Sequence, residues 1–430
     1  MSNKSIQSME EAHDFFQQRR QLGIKPGLQR VEKLARAVGN PEQLLNAVHI
    51  AGTNGKGSTV VFLKSILEQA GYRVGSFTSP PKETFLDMIE VGDQSITDTD
   101  FIDILQRLLP SIEQLDQQQD PPSEFEILTV IAFVHLQASA DIAIIEVAMG
   151  GREDTTNILT PLVSVVTTIG LDHQRFLGDT YQAIAYHKAG IIKKDTPVIV
   201  GRVPACTIET FITEAERQTA PLIWLEQQLS VDQYVPLDRI DQVQLTMGSD
   251  RLTFTKQIVG EHQVDNAALA VAACQQLKEH GFTIGKAHME IGLSNAFISG
   301  RFEQVMSHPL IILDSAHNHE SIQAFCRTVS QRDNSKSPKV LFAVFKDKPI
   351  AAMMTCLARQ FDEILCTTFD HPRAAKTEEI ALSFPKVQTV DWKPFLLSLA
   401  PMDRLYVTGS VEFVTQVRKY LLNHSPAKND

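Results

Sequence analysis

The sequence predicts an α/β protein built on a mostly parallel sheet, and three observations carry that expectation. Short apolar runs rich in Val and Ile alternate with helix-period segments along most of the chain, the pattern of parallel strands joined by covering helices. Those runs are continuously apolar instead of alternating, as strands buried on both faces should be. A glycine-rich turn, Gly52-Thr53-Asn54-Gly55-Lys56-Gly57-Ser58-Thr59, separates one such run from the helical pattern VVFLKSILEQA.

Taken in order, the first series places strands at 47–52, 73–78, 141–148, 163–169 and 197–201, with helices such as 58–70 and 126–137 between them. The stretch 243–255 changes character: two alternating runs around Gly248-Ser249-Asp250 read as a hairpin, and 266–278 after it as a helix. A second α/β series follows, with strands at 310–313, 340–345, 363–367 and 404–408 and a closing helix at 411–422. The boundary falls at Ser299-Gly300-Arg301, giving domains 1–298 and 299–430. Gln117–Ser123 and Gln331–Pro338 read as surface loops, and no repeat of 20–50 residues is visible.

Composition narrows the function. The 430 residues carry 40 Lys and Arg against 51 Asp and Glu, a net charge of −11, which disfavours a general binder of nucleic acid. A hydrophobic share of 43% and a charged share of 21% are those of a globular protein with ample core material, and the length suits two domains. The most apolar stretches, such as 140–151 with Glu146 inside it, fall short of a membrane span, and MSNKSIQSMEEAHDF lacks a secretory pattern. A cytoplasmic protein with no membrane partner is expected. Cys206, Cys274, Cys326, Cys356 and Cys366 show no C-x-x-C pair and are expected to be reduced core thiols.

Strand, glycine-rich turn, then helix is the context of a phosphate cradle. Glycines let backbone N–H groups face an anion and the helix start adds partial positive charge. Lys56 can reach outer phosphates, and a hydroxyl of Ser58 or Thr59 can meet a metal. The spacing differs from the common G-x-x-x-x-G-K-[ST], since residue 50 is Ile and Gly57 separates Lys56 from Ser58. An ordinary glycine-rich βα turn is the alternative.

This loop resembles that of the folylpolyglutamate synthases and bifunctional dihydrofolate synthases, relatives of the Mur ligases. Further signatures follow in the family's order. They are Glu146-Val-Ala-Met-Gly-Gly-Arg-Glu-Asp-Thr-Thr-Asn157, Gly170-Leu-Asp-His173 with Leu177-Gly-Asp-Thr180, and His187-Lys-Ala-Gly-Ile-Ile-Lys193. After these come His262-Gln263 with Asn266, Gly300-Arg-Phe-Glu303, Asp314-Ser-Ala-His-Asn318 and Lys346-Asp-Lys348. The resemblance covers about residues 25–415, most of the chain. The resemblance implies a Mur-ligase-like fold, with a P-loop N-terminal domain and a smaller Rossmann-like C-terminal glutamate-ligase domain.

It also implies a reaction: ATP phosphorylates the γ-carboxyl of a folate glutamate tail, and the amino group of free L-glutamate attacks the acyl phosphate. Gly52, Thr53, Asn54, Gly55, Lys56, Gly57 and Ser58 would hold the nucleotide, joined by Asn266 with Gln263 ahead of a helix and by Arg301 and Asp314. Ser79, Glu146 and His173 would hold magnesium, each at or just past a strand's C-terminal end, where open α/β sheets place ligands. Lys188 would hold a second ion as a carbamate; direct pairing with phosphate is the alternative. Lys56, Lys188 and His317 are the catalytic candidates, and Lys346 lies near the family's glutamate site. A nucleotide shared by two domains implies closure around it. The expected partners are ATP, L-glutamate and folate or dihydropteroate, bound by a monomer.

Two departures stand out. After Thr78-Ser79-Pro80 the family's Asn-Glu-Arg-Ile-like stretch is replaced by Pro81-Lys-Glu-Thr-Phe-Leu-Asp87-Met88-Ile89, so a pocket arginine is lost. Ser315 and His319 also replace commoner glycine and proline; Ser315 requires only that its backbone avoid a glycine-only conformation. The first departure keeps a ligase for another carboxylate open, and a nucleotide-binding paralogue without ligase chemistry is the other alternative.

Overall fold

The structure, a computed structural model, describes residues 5–333, 338–384 and 387–424. The chain divides into two compact units: Met1–Ser230, Thr246–Leu252 and Asp265–Leu293 form the first, and Val231–Leu245, Thr253–Val264 and Ser294–Asp430 the second.

The first unit is organised by an eight-stranded sheet of β1 (Ala47–Ala51), β2 (Val74–Phe77), β3 (Ile89–Val91), β4 (Gln94–Ser95), β5 (Ile142–Glu146), β6 (Val163–Val166), β7 (Val198–Val200) and β8 (Leu222–Trp224). Its order is β4-β3-β2-β5-β1-β6-β7-β8, parallel from β2 through β8, with β3 and β4 as an antiparallel edge. All five residues of β1 and of β5 are buried, which explains why their sequences are mostly apolar and do not alternate. Each of the five expected strands forms, shortened at its ends. The expected helices become Lys56–Gln69 and Glu124–Ser139. The latter starts in a capping box between Ser123 and Glu126, and buried Glu126 also takes the Arg30 guanidinium at 2.8 Å. Helix Asp98–Gln117 stops where the loop from Gln117 was expected.

Strands β9 (Leu229–Pro236), β10 (Asp241–Met247) and β11 (Asp250–Lys256) form a three-stranded sheet in the order β11-β10-β9. The expected hairpin is β10–β11, and burial alternates along both strands, as a half-buried sheet requires. The following helix, His262–Glu279, begins four residues earlier than expected. Gln263 and Asn266 therefore lie inside its first two turns and not ahead of it.

The second unit carries β12 (Glu303–Ser307), β13 (Leu310–Leu313), β14 (Lys339–Phe342), β15 (Glu363–Cys366), β16 (Gln388–Thr389) and β17 (Arg404–Thr408). The order is β12-β13-β17-β14-β15-β16, parallel except for the β12–β13 pair. β13 and β17 coincide with their expected bounds, and helix Val411–His424 follows. Helix His319–Arg332 extends into the loop expected at 331–338, whose residues 334–337 lie outside the described residues. Among the described residues no helix is long and apolar enough to cross a membrane. Cys274 and Cys366 are buried as expected, but Cys206 is exposed and is no core thiol.

Candidate active site

Four neighbouring strands of the first unit deliver the candidate residues to one edge of the sheet. The registers Ile50↔Glu146, Ala51↔Val166 and Phe77↔Ile145 align the carboxyl ends of β1, β5, β6 and β2. Beyond those ends lie the 52–55 turn, Glu146, residues 167–173 and Ser79, where open parallel sheets present ligand sites.

The turn has the backbone of an anion cradle. Gly55, with φ +89°, caps the helix that starts at Lys56, and a Cβ there would fall 2.3 Å from Asn266 Oδ1. At Gly52 a Cβ would meet Thr167 Oγ1 at 1.8 Å, so neither position admits a side chain. Thr167 and Thr168 lock the turn through Asn54: their hydroxyls donate to Asn54 O at 2.6 and 3.0 Å, and Asn54 N donates to Thr168 Oγ1 at 3.0 Å. Thr53 Oγ1 in turn donates to Gly170 O and accepts from Gly170 N. Lys56 folds back over the turn, its Nζ donating to Gly52 O at 3.1 Å and lying 3.9 Å from Glu146 Oε1. Gly57 and Ser58 belong to the first helical turn. Ser58 and Thr59 are buried, and Thr59 Oγ1 has no hydrogen-bond partner.

Lys188 sits buried near this group. Burial is the main cause that pushes its ammonium down to about 7. The Lys56 charge adds to the effect, while Asp172 and Asp154 oppose it. Its helix, Tyr181–Ala189, is clamped by the segment after β5. A Cβ on Gly151 would meet His187 O at 2.7 Å and Lys188 Cα at 3.2 Å. Arg152 N donates to His187 O at 2.7 Å, and Asn157 Nδ2 donates to both Arg152 O and Gly190 O. The glycine pair and the asparagine of the second signature thus let two backbones approach and hold them.

Ser79 is half-buried just after β2, and Glu146 is 6% exposed. His173 is exposed, at φ +51° before the short helix Gln174–Leu177. A buried carboxylate and a hydroxyl are hard oxygen donors suited to magnesium, whereas an exposed imidazole is not a preferred one. Among the described residues no three His, Cys, Asp or Glu side chains gather as a metal site; the expected set holds only two residues of those types, Glu146 and His173. Thr167 and Thr168 were given no role from the sequence, and Asp172 stood only within the third signature; Thr167 and Thr168 directly follow the strand beside β1, and placement was their signal.

In the second unit Asp314 leaves the end of β13 and organises its surroundings. Its carboxylate accepts from Phe302 N and Ala316 N, both at 2.9 Å, which fixes the Gly300-Arg301-Phe302 turn. Burial raises the Asp314 pKa, opposed by the Arg301 charge, those two N–H groups and His317. Arg301, Asp314 and His317 therefore come together, with His317 Nδ1 2.9 Å from Ser315 O. Ser315 is not among the positive-φ residues, consistent with its substitution for glycine. Lys346 is exposed after β14.

The altered loop has a structural explanation. Asp87 accepts from Glu83 N, Thr84 N and Ser95 Oγ at 2.8–3.1 Å, closing a capping box on the short helix Phe85–Met88. Burial acts to raise its pKa, but these bonds outweigh it and hold the carboxyl below its ordinary value. Phe85 and Met88 are buried, with Phe85 against Phe16 and Phe101. The Asp-Met pair thus builds the loop from within.

Comparison with known proteins agrees with this geometry. Residues 50–274 match the Mur ligase middle domain, and 300–411 the Mur ligase, glutamate ligase domain. The chain is 35% identical to the dihydrofolate synthase/folylpolyglutamate synthase of Bacillus subtilis over 96% of this chain and 99% of that one. It is 32% identical to the folylpolyglutamate synthase of Lacticaseibacillus casei, covering 91% and 94%. Of solved structures, Mycobacterium tuberculosis folylpolyglutamate synthase complexed with ADP matches with a TM-score of 0.88 at 26% identity, over 97% and 99% of the two chains. E. coli FolC in complex with DHPP and ADP matches at 0.86 and 26%, over 98% and 99%. With both ligase domains matched and a 35% identical relative aligned nearly end to end, the chain belongs to the dihydrofolate synthase/folylpolyglutamate synthase family of Mur-type ligases.

Proposed function

We propose that this protein is an ATP-dependent ligase that adds L-glutamate to the γ-carboxyl of tetrahydrofolate through an acyl phosphate. The observation that carries this reading is the 52–56 cradle, with Lys56 folded over it, in a chain aligned over nearly its full length with a bifunctional folate ligase. A carboxylate oxygen of the acceptor attacks the γ-phosphorus and ADP departs. The glutamate amine then attacks the acyl carbon, expels phosphate and loses a proton. Residues 52–58, Asn266 with Gln263, and Arg301, Asp314 and His317 would bind the nucleotide. Lys56 would neutralise charge developing on the transferred phosphoryl group.

Ser79, Glu146 and His173 would hold one magnesium ion and a carbamylated Lys188 a second; bound there, magnesium would offset phosphate charge. Support comes from the buried Glu146 carboxylate and from the lowered Lys188 pKa, because the neutral amine is the form that takes up carbon dioxide. Dihydropteroate is a second acceptor in this reading, since the Bacillus subtilis relative carries both activities in its name. The reading further includes a cytoplasmic monomer without a nucleic-acid partner, in keeping with the net charge of −11, and domains 1–298 and 299–430.

Phosphate release from ATP in the presence of glutamate and each acceptor tests the proposal. Turnover that requires both glutamate and a folate is expected, and Lys56→Ala should lower it by at least about a hundredfold while the protein stays folded. Nucleotide binding without acceptor-dependent turnover would leave a binding paralogue. Turnover with a different carboxylate alone would reassign the acceptor.

A further inference from the structure

The Asp241–Lys256 ion pair of the second unit takes part in none of the chemistry above, yet it is the most completely buried charge pair among the described residues, with no exposed side-chain surface on either partner. Its polar atoms converge on one turn. Lys256 Nζ donates to Asp241 Oδ2, to Ile258 O at 3.0 Å and to Gly260 O at 2.8 Å, so all three of its donors are engaged. Asp241 Oδ2 accepts in addition from Gly260 N at 2.9 Å. Asp241 Oδ1 takes Arg332 Nη2 from the last residue of helix His319–Arg332, while Arg332 Nε and Nη1 have no partner.

The turn leads straight into His262 and Gln263. Gly260 stands at φ +114°, and a Cβ there would fall 2.6 Å from His262 Cε1 and 3.0 Å from Thr328 Oγ1. His262 Nε2 and Gln263 Nε2 lie 3.1 Å apart, and Gln263 is 3% exposed. The imidazole and the amide are thus seated directly on backbone that the ion pair fixes.

Stability alone does not account for such a pair. Desolvating two charges offsets most of their attraction, and an apolar pair of similar volume is often as stable or more so. Directional anchoring is what an apolar pair cannot supply. We infer that Asp241 and Lys256 are positioning residues for nucleotide binding, setting the Ile258–Gly260 turn and through it the Gln263 amide. The inference rests on the proposed contact of Gln263 with the nucleotide.

ADP titration by calorimetry, with thermal unfolding and steady-state kinetics, separates positioning from support. Lys256→Met leaves a buried carboxylate short of a partner and lowers the melting temperature. In Asp241→Leu/Lys256→Met, made in an Arg332→Met background so that no buried guanidinium is left without its carboxylate, all three charges are gone and most of the stability returns. That double variant is expected to bind ADP at least tenfold more weakly and to show an equal rise in the KM for ATP. Its kcat at saturating ATP and its KM for glutamate and folate should stay within twofold of the parent. Gln263→Ala should weaken ADP binding in the parent and add little in the double variant. A double variant with parental melting temperature and parental ADP affinity overturns the inference. Should the double variant not fold, Gly260→Ala displaces the same turn while keeping both charges; unchanged ADP affinity there overturns it equally. A parent protein that binds no ADP would instead overturn the proposed function.

Discussion

Acid should weaken the first unit through His49, and the size of the effect can be worked from its surroundings. His49 lies in β1, immediately before the phosphate turn, with no exposed surface. Its Nε2 is 2.9 Å from Thr156 Oγ1, and that hydroxyl already donates to Asp154 Oδ1 at 2.5 Å. Nε2 must therefore be the donor, leaving Nδ1 as a bare lone pair, and Nδ1 has no partner. A second proton would place an N–H and a charge in apolar surroundings. Burial, helped by the Lys193 charge, accordingly pushes the ring from 6.5 down to about 3.

Between those values the unfolded chain binds the proton and the folded one does not. Stability is thus full above about pH 6.5 and is lost as the pH falls towards 3. At pH 5 the two pKa values give a loss of about 2 kcal/mol. His49→Gln keeps an N–H for Thr156 and cannot titrate. Urea unfolding of both proteins at pH 7.5 and 5.0 should show the parent losing about 2 kcal/mol more than the variant. Equal acid losses in the two would refute the assignment of a neutral buried imidazole.

Three further outcomes are expected. Gly151→Ala drives a methyl into His187 O and the Lys188 backbone; kcat should fall at least tenfold while ADP affinity changes little, because the 52–56 turn is untouched, and an unchanged kcat would remove the clamp from the mechanism. Turnover in carbon-dioxide-depleted buffer should drop and recover with bicarbonate. With Lys188 near 7, the recovery should be strong at pH 8, where the amine is mostly neutral, and weak at pH 6; indifference to bicarbonate at both pH values would eliminate the carbamate. Asp87→Ala forfeits three hydrogen bonds in the 83–95 loop and should cost about 1–2 kcal/mol in chemical denaturation. A higher KM for the acceptor at undiminished stability would mean that Asp87 faces substrate.

Features with local causes are legible in the chain alone. Strands β1, β5 and β6 were legible because burial on both faces leaves mostly apolar runs without polar alternation, and the phosphate turn because glycine, lysine and hydroxyl residues stand between a strand and a helix. Short strands such as β3, β4 and β16, of two or three residues, carry too little pattern to be seen. Contacts between distant residues emerge only once the chain is folded. Folding brought Lys188 under the influence of Lys56, set Thr167 and Thr168 against Asn54, started the helix at His262, turned Asp87 inward to its own loop and gathered Asp241, Lys256 and Arg332. The physical reason is that burial and ion pairing depend on which strands lie side by side, and strand order is set by packing over hundreds of residues that no local spacing records.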